Sequence, residues 1–201
     1  IFKFLNWMAL FDEDLFDEDL NLRDRNLFLG PYYLLRILGS GDFAIVFEAL
    51  DVRISGSDSS TARRAIKIFF PDQEPDRKWQ KEVAAYETLS RAPSCNEAVV
   101  CFYEAEIYDS SLAEPDFDVL LQAHRLGLNV VPVEGRYHYL VIEYMDGNLT
   151  RLGNYLLGAN WISAHPQVMV GMAQRLIEGL SNIHAVGLAH MDIKPENIFY
   201  R

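Results

Sequence analysis

The 201-residue sequence predicts an α+β fold in which a β-rich first half is followed by a helical second half. Three observations predict it. Short runs rich in β-branched and aromatic residues, at Tyr32–Leu38, Ile45–Leu50 and Arg64–Phe70, are separated by glycine and polar turns. After Gly147 the apolar spacing lengthens, and Met169, Met172, Ala173, Leu176, Leu180 and Ile183 recur at helical steps. Half of the chain is hydrophobic and 23% is charged, which is globular composition rather than that of a disordered chain.

Residues 1–29 read as an acidic extension. The pentad in Leu10–Leu20 (LFDEDLFDEDL) has a period of five, which matches neither helix nor strand. It reads as a solvated acidic segment or as a docking peptide with Phe11 and Phe16 as anchors. The three β-runs follow, with Ser55–Ala62 as a polar hairpin loop. Asp76 offers the N-cap of a helix through Trp79, Val83, Tyr86 and Leu89. Two more strands are expected at Val99–Tyr108 and His138–Tyr144, flanking a long insertion at 109–136. Pro166 suits the first turn of the later helix, whose apolar stripe Ile177 and His184 widen.

Composition excludes several classes. A net charge of −11 without a dense basic run argues against a nucleic-acid partner. No stretch approaches the ~18 apolar residues of a membrane helix, so no membrane partner is expected. Cys95 and Cys101 make no disulfide framework and no zinc-ligand spacing, which points to a reduced, intracellular setting, cytoplasmic or nuclear.

Three motifs carry chemistry. Between two strands, Gly39-Ser40-Gly41-Asp42-Phe43-Ala44-Ile45-Val46 lets backbone approach a polyphosphate with no Cβ in the way. Lys67 sits in an apolar strand behind Ala65, with Glu82 on the following helix as a possible ionic partner and solvated surface positions as the plain alternative. The third motif, His190-Met191-Asp192-Ile193-Lys194-Pro195-Glu196-Asn197, is the most specific. There an Asp can accept a hydroxyl proton, a Lys can neutralise phosphoryl charge, and an Asn oxygen suits Mg2+.

In that order and context the three motifs resemble a eukaryotic-type protein kinase domain of the serine/threonine class, over about Tyr32 to Tyr200. The resemblance implies a bilobal fold with a five-stranded antiparallel amino-terminal lobe and regulatory helix (residues 30–145), then a partial helical lobe (146–201). It implies ATP and Mg2+ as cofactors and a protein substrate, the acidic extension or the insertion being possible docking elements. By it, Gly39, Gly41 and Phe43 belong to the phosphate-covering loop, and Lys67 holds the α- and β-phosphates and pairs with Glu82. Val46 and Ala65 cover the adenine, Phe199 lies beneath it, and Ile142 is the gatekeeper. The backbone of Glu143 and Met145 bonds the adenine edge. Asp192 is the catalytic base, Lys194 the phosphate-charge partner and Asn197 the metal ligand.

The sequence departs from that pattern at Ala44, in place of a third glycine, and at Met191, where an Arg would pair with a phosphorylated activation loop. HMDIKPEN resembles the inhibitory cell-cycle kinases of the Wee type. The chain stops before an Asp-Phe-Gly segment, so the 201 residues alone are expected to be inactive and poorly soluble, the helix around Ile177 lacking cover. A kinase-like scaffold without activity is the alternative from another class. An aminoglycoside-type phosphotransferase shares the fold but matches Lys194-Pro195-Glu196-Asn197 and the hinge less well.

Overall fold

Alternation along the strands organises the first half of the chain. The computed structural model describes residues 2–4, 28–40, 44–54, 59–69, 75–91, 98–109, 136–157 and 165–201. In order these form β1 (Phe2–Phe4), β2 (Phe28–Leu29), β3 (Tyr32–Ser40), β4 (Ala44–Asp51), α1 (Ser59–Ala62), β5 (Arg63–Phe69), α2 (Pro75–Arg91), β6 (Phe102–Asp109) and β7 (Arg136–Glu143). Then come β8 (Gly147–Asn148), α3 (Leu149–Leu157), α4 (Pro166–Ala185), a 3-10 turn at Pro195–Asn197 and β9 (Ile198–Tyr200). The chain divides into two compact units. One comprises Leu10–Lys81 and Tyr103–Tyr144; the other comprises Ile1–Ala9, Glu82–Phe102 and Met145–Arg201.

The first unit is built on a sheet of order β2-β3-β4-β5-β7-β6, antiparallel from β2 through to β7. Side chains of a strand point alternately to its two faces. One face carries Ile37, Ile45, Phe47, Ala49, Ile66, Ile68, Tyr139 and Val141 into a core closed by Leu29, Tyr32, Leu34 and Tyr137. The sheet curls over this core. Tyr32 on β3 donates its hydroxyl hydrogen to Glu104 on β6, although three strands lie between them in the sheet order. Arg53 donates to the Tyr32 hydroxyl at 2.5 Å and to both oxygens of Asp51 at 2.9 Å, joining β3, β4 and β6 in one partly buried network. Burial, then the Glu104 bond, pushes the Tyr32 phenol far above its ordinary value, so it stays a neutral donor. Trp79 of α2 adds an indole N–H to the Tyr139 carbonyl at 3.3 Å.

In the other unit, Leu89, Val99, Ile183 and Ile198 form a core with Leu149, Leu176, Leu180, Val186 and Leu188 against it. Pro166 opens α4 at a position where a missing N–H costs no helical bond. Gly187 closes it with φ +77°, Gly187 N–H bonding His184 O and Leu188 N–H bonding Ile183 O. That pair of bonds satisfies the last carbonyls, and the left-handed residue suits glycine. Asn148 caps α3 by accepting from Arg151 N–H at 3.0 Å. A three-stranded sheet β1-β9-β8 follows the loop at Asp192, with Lys3 opposite Phe199 and Asn148 opposite Phe199 on the other side. Ile177 and Val170 of α4 remain exposed among the described residues.

The structure corrects the sequence reading in five places. The first sheet has six strands, not five. Gly30 at φ +54° turns the chain so that Phe28 meets Tyr33, ring centroids 5.0 Å apart. Residues 1–29 therefore supply strands as well as an acidic stretch. Ser55–Ala62 is not all loop, since Ser59–Ala62 makes one helical turn. Helix α2 begins at Pro75, with Asp76 already inside it, because proline is itself favoured in a first turn. Cys101 is disulfide-bonded, so the expectation of two reduced cysteines does not hold. The acidic pentad and residues 110–135 of the insertion lie outside the described residues.

Candidate active site

The second face of the first sheet gathers the residues singled out in the β-half. Val46 pairs with Lys67, Ala65 with Ile142, and Lys67 with Leu140. Directly opposed residues share a face, so Val46, Ala65, Lys67 and Ile142 stand together on the side away from the core. All four are buried. The Lys67 ammonium lies 4.9 Å from the centroid of the Phe69 ring. Gly39, the first residue of the glycine motif, is buried at the end of β3 beside Val46. Gly41 and Phe43 lie outside the described residues. Glu143 closes the ladder opposite Arg64, which puts its side chain on the core side and leaves a backbone role compatible with its place.

The other unit holds Asp192, Lys194 and Asn197. Asn197, 1% exposed, donates from Nδ2 to the Asp192 carbonyl at 2.9 Å and to Asp192 Oδ2 at 2.8 Å. Lys194 Nζ lies 3.2 Å from the same Oδ2. These contacts draw Asp192, Lys194 and Asn197 into one cluster, as their spacing suggests. The loop also carries strain. Met191 has φ +59°, and the Asp192 N–H folds back to His190 O at 2.8 Å, a γ-turn of the rare positive-φ kind. His190 is buried beneath it, its Nδ1 3.3 Å from the Asp192 N–H. Met191 itself is 82% exposed, so its side chain contributes little to packing the loop.

Glu82 is buried on α2 in this same unit, one turn before Tyr86. Burial, reinforced by the Glu82 charge, holds the Tyr86 phenol well above its ordinary value. Phe199 is half-buried on β9. Met145, buried, opens this unit where the first one ends.

The donor set fits a hard cation. Asn197 Oδ1 is buried and without a hydrogen-bond partner among the described residues. A buried amide oxygen left unpaired is unfavourable in a folded chain unless something else takes it up. No group of three or more His, Cys, Asp or Glu converges on a metal position among the described residues. Mg2+ needs none, because it commonly takes one or two protein oxygens and completes its octahedron with phosphates and water. Asn197 would be such a ligand.

Comparison with known proteins agrees with this geometry. The model of the protein kinase domain matches residues 32–201, most of the chain. This chain belongs to the protein kinase domain family. It is 24% identical over 171 residues to the serine/threonine-protein kinase ROP18 of Toxoplasma gondii, covering 80% of this chain and 28% of that protein. The serine/threonine-protein kinase cds1 of Schizosaccharomyces pombe is 26% identical over 172 residues, covering 83% and 29%. A probable cell division protein kinase of Encephalitozoon cuniculi reaches 34% identity over 79 residues, covering 39% and 24%. The chain thus spans less than a third of these relatives. As a kinase domain it has an antiparallel sheet and a few helices, and no described helix is long and apolar enough to cross a membrane.

Sequence reading passed over one cluster on the face of the sheet that carries Ala65 and Lys67. Glu48, 1% exposed, accepts from Arg36 Nε at 2.7 Å and from Arg63 Nε and a terminal nitrogen at 2.9 and 2.5 Å. The signal was available: Glu48 interrupts an apolar strand as Lys67 does, and Arg63 stands two residues before Ala65 on the same face.

Proposed function

We propose that the protein carrying this chain is an ATP- and Mg2+-dependent serine/threonine protein kinase with the family's two-lobed arrangement. The arrangement at Asn197 carries the reading. Its amide hydrogens fix Asp192 while its buried oxygen is left for a cation, a division of labour that a purely structural asparagine has no need of. Asp192 Oδ2 is occupied by Asn197 and Lys194, and no described residue bonds Oδ1, which is the atom proposed to accept the proton of the substrate hydroxyl. That hydroxyl oxygen forms the new bond to the γ-phosphorus, the bond to the β,γ-bridging oxygen breaks, and ADP departs with the electron pair. Lys194 and Lys67 balance phosphoryl charge, and Glu82 is the acid proposed to hold Lys67. Magnesium, when bound at Asn197, supplies further neutralisation of the phosphates. Val46, Ala65, Ile142 and Phe199 are proposed as the apolar residues that take the adenine, with the backbone of Glu143 and Met145 proposed to bond its edge. Gly39, Gly41 and Phe43 are proposed to cover the phosphates.

The test is transfer of labelled γ-phosphoryl to a generic protein substrate. Asp192→Asn is expected to lower the rate by ~10²–10⁴-fold, the range of general acid–base catalysis. Lys67→Met is expected to abolish transfer. Wild-type rates in both variants would overturn the roles proposed for Asp192 and Lys67, and no transfer by the wild type would leave a kinase-like scaffold as the better description.

A further inference from the structure

We infer that Arg36, Glu48 and Arg63 are positioning residues for the nucleotide-binding hinge and act through Tyr144; this rests on the proposed ATP site. Strand β7 ends at Glu143, and its ladder with β5 ends at the pair Arg64–Glu143. The next residues, Tyr144 and Met145, therefore leave the sheet just where the backbone of Glu143 and Met145, on either side of Tyr144, is proposed to meet the adenine edge. Tyr144 is the last residue of the sheet unit. What fixes it is a set of side chains rather than a ladder. The Arg63 guanidinium lies over the Tyr144 ring, 3.9 Å from its centroid. A terminal nitrogen of Arg36 donates to the Tyr144 hydroxyl at 3.2 Å.

Both guanidinium groups are in turn held by one carboxylate. Glu48 is buried, and a buried carboxylate stays charged only when paired and hydrogen-bonded. It accepts from β3 on one side and from β5 on the other. Burial acts against the charge on Arg36, but the hydrogen bond and charge of Glu48, with Tyr144, more than offset it. The ring and the hydroxyl of Tyr144 are thus referred to three adjacent strands. These strands also carry Gly39, Val46, Ala65 and Lys67, so the cluster ties the hinge to the rest of the adenine face. Guanidinium planarity matters here, because one planar group both forks onto Glu48 and stacks on Tyr144.

The experiment measures Mg-ATP affinity, ATP KM, kcat and nucleotide-free melting in the protein that carries this chain. Wild type is compared with Arg63→Lys, Tyr144→Phe, Glu48→Gln and Lys67→Met. Arg63→Lys keeps the charge and loses the fork and the stack. It is expected to weaken Mg-ATP binding and raise KM by about 3- to 10-fold with kcat within about twofold, as for loss of one or two net interactions. Tyr144→Phe keeps the stack and is expected to change affinity by less than about threefold. If Arg63→Lys melts lower but binds Mg-ATP as wild type does, the cluster only stabilises the sheet and the inference is overturned. A fall in kcat at unchanged KM overturns it as well. Failure of wild type to bind Mg-ATP, with Lys67→Met indistinguishable from it, removes the ATP-site reading and this inference together. Binding that depends on Lys67 but not on Arg63 removes the inference alone.

Discussion

Two polar clusters in this chain are built from similar side chains and differ in what they leave open. Around Glu48 the carboxylate is 1% exposed, and two arginines bond both its oxygens. Around Asp192 the carboxylate side chain is 36% exposed and both its partners converge on one oxygen, while the buried Asn197 oxygen has no partner among the described residues. The first cluster is saturated, so its chemistry is spent on holding backbone in place. The second leaves a buried acceptor without a partner among the described residues, the position proposed for a cation. An unsatisfied buried acceptor is costly in a fold that does not use it, so its location is informative about function in a way that a closed ion pair is not.

Substitutions put that contrast to the test. The largest effect is expected from Asn197→Ala, which removes both the hold on Asp192 and the free oxygen. Phosphoryl transfer should fall by about 100-fold or more, as for loss of a preorganised group, and excess Mg2+ should not restore it. Equal activity in a steady-state transfer assay would mean that the open cluster is not the site. Glu48→Ala should act on stability instead. It leaves two guanidinium groups without their acid, at a cost of about 1–3 kcal/mol, discounted because Arg36 and Arg63 are 43% and 34% exposed. Chemical denaturation reads this directly, and an unchanged midpoint would show that the saturated cluster contributes nothing.

Tyr86 tests the cost of unsatisfied groups away from both clusters. Its hydroxyl is buried without a hydrogen-bond partner among the described residues, and its ring stacks on Phe102 at 5.4 Å. Tyr86→Phe keeps the ring and should stabilise by about 0.5–1 kcal/mol, measured by the same denaturation. Destabilisation would reveal a partner for that hydroxyl. The smallest effect concerns acid. Arg53, chiefly by its hydrogen bonds, holds the Asp51 carboxyl below its ordinary value of 3.8. A depressed carboxyl contributes stability that is complete above the unfolded value and is lost as pH falls through the folded one. Asp51→Asn should therefore be less stable than wild type near neutrality and lose less on going below about pH 4. Parallel stability curves from neutrality to pH 2 would exclude that contribution.

How much was legible beforehand differed between the two halves of the site. Local sequence determined the catalytic loop, because Asp192, Lys194 and Asn197 lie within one turn and one proline-stiffened bend, and spacing alone brings them together. It also determined the strand alternation that puts Val46 and Ala65 on one face with Lys67, since a period of two leaves no other choice once the register is set. Glu48 was passed over because its meaning depends on two arginines, twelve residues before it and fifteen after it in sequence, that only strand pairing makes neighbours. The sixth strand and the bonded Cys101 were misread for a related reason: a two-residue strand has no periodicity, and sequence around a cysteine does not say whether its sulfur is bonded. The family, the clustering of the loop residues and the face of the sheet were therefore legible in the chain alone. Which charges are saturated and which acceptor is left open became visible only once the chain was folded, because satisfaction of a polar group is a property of the atoms around it rather than of its place in the chain.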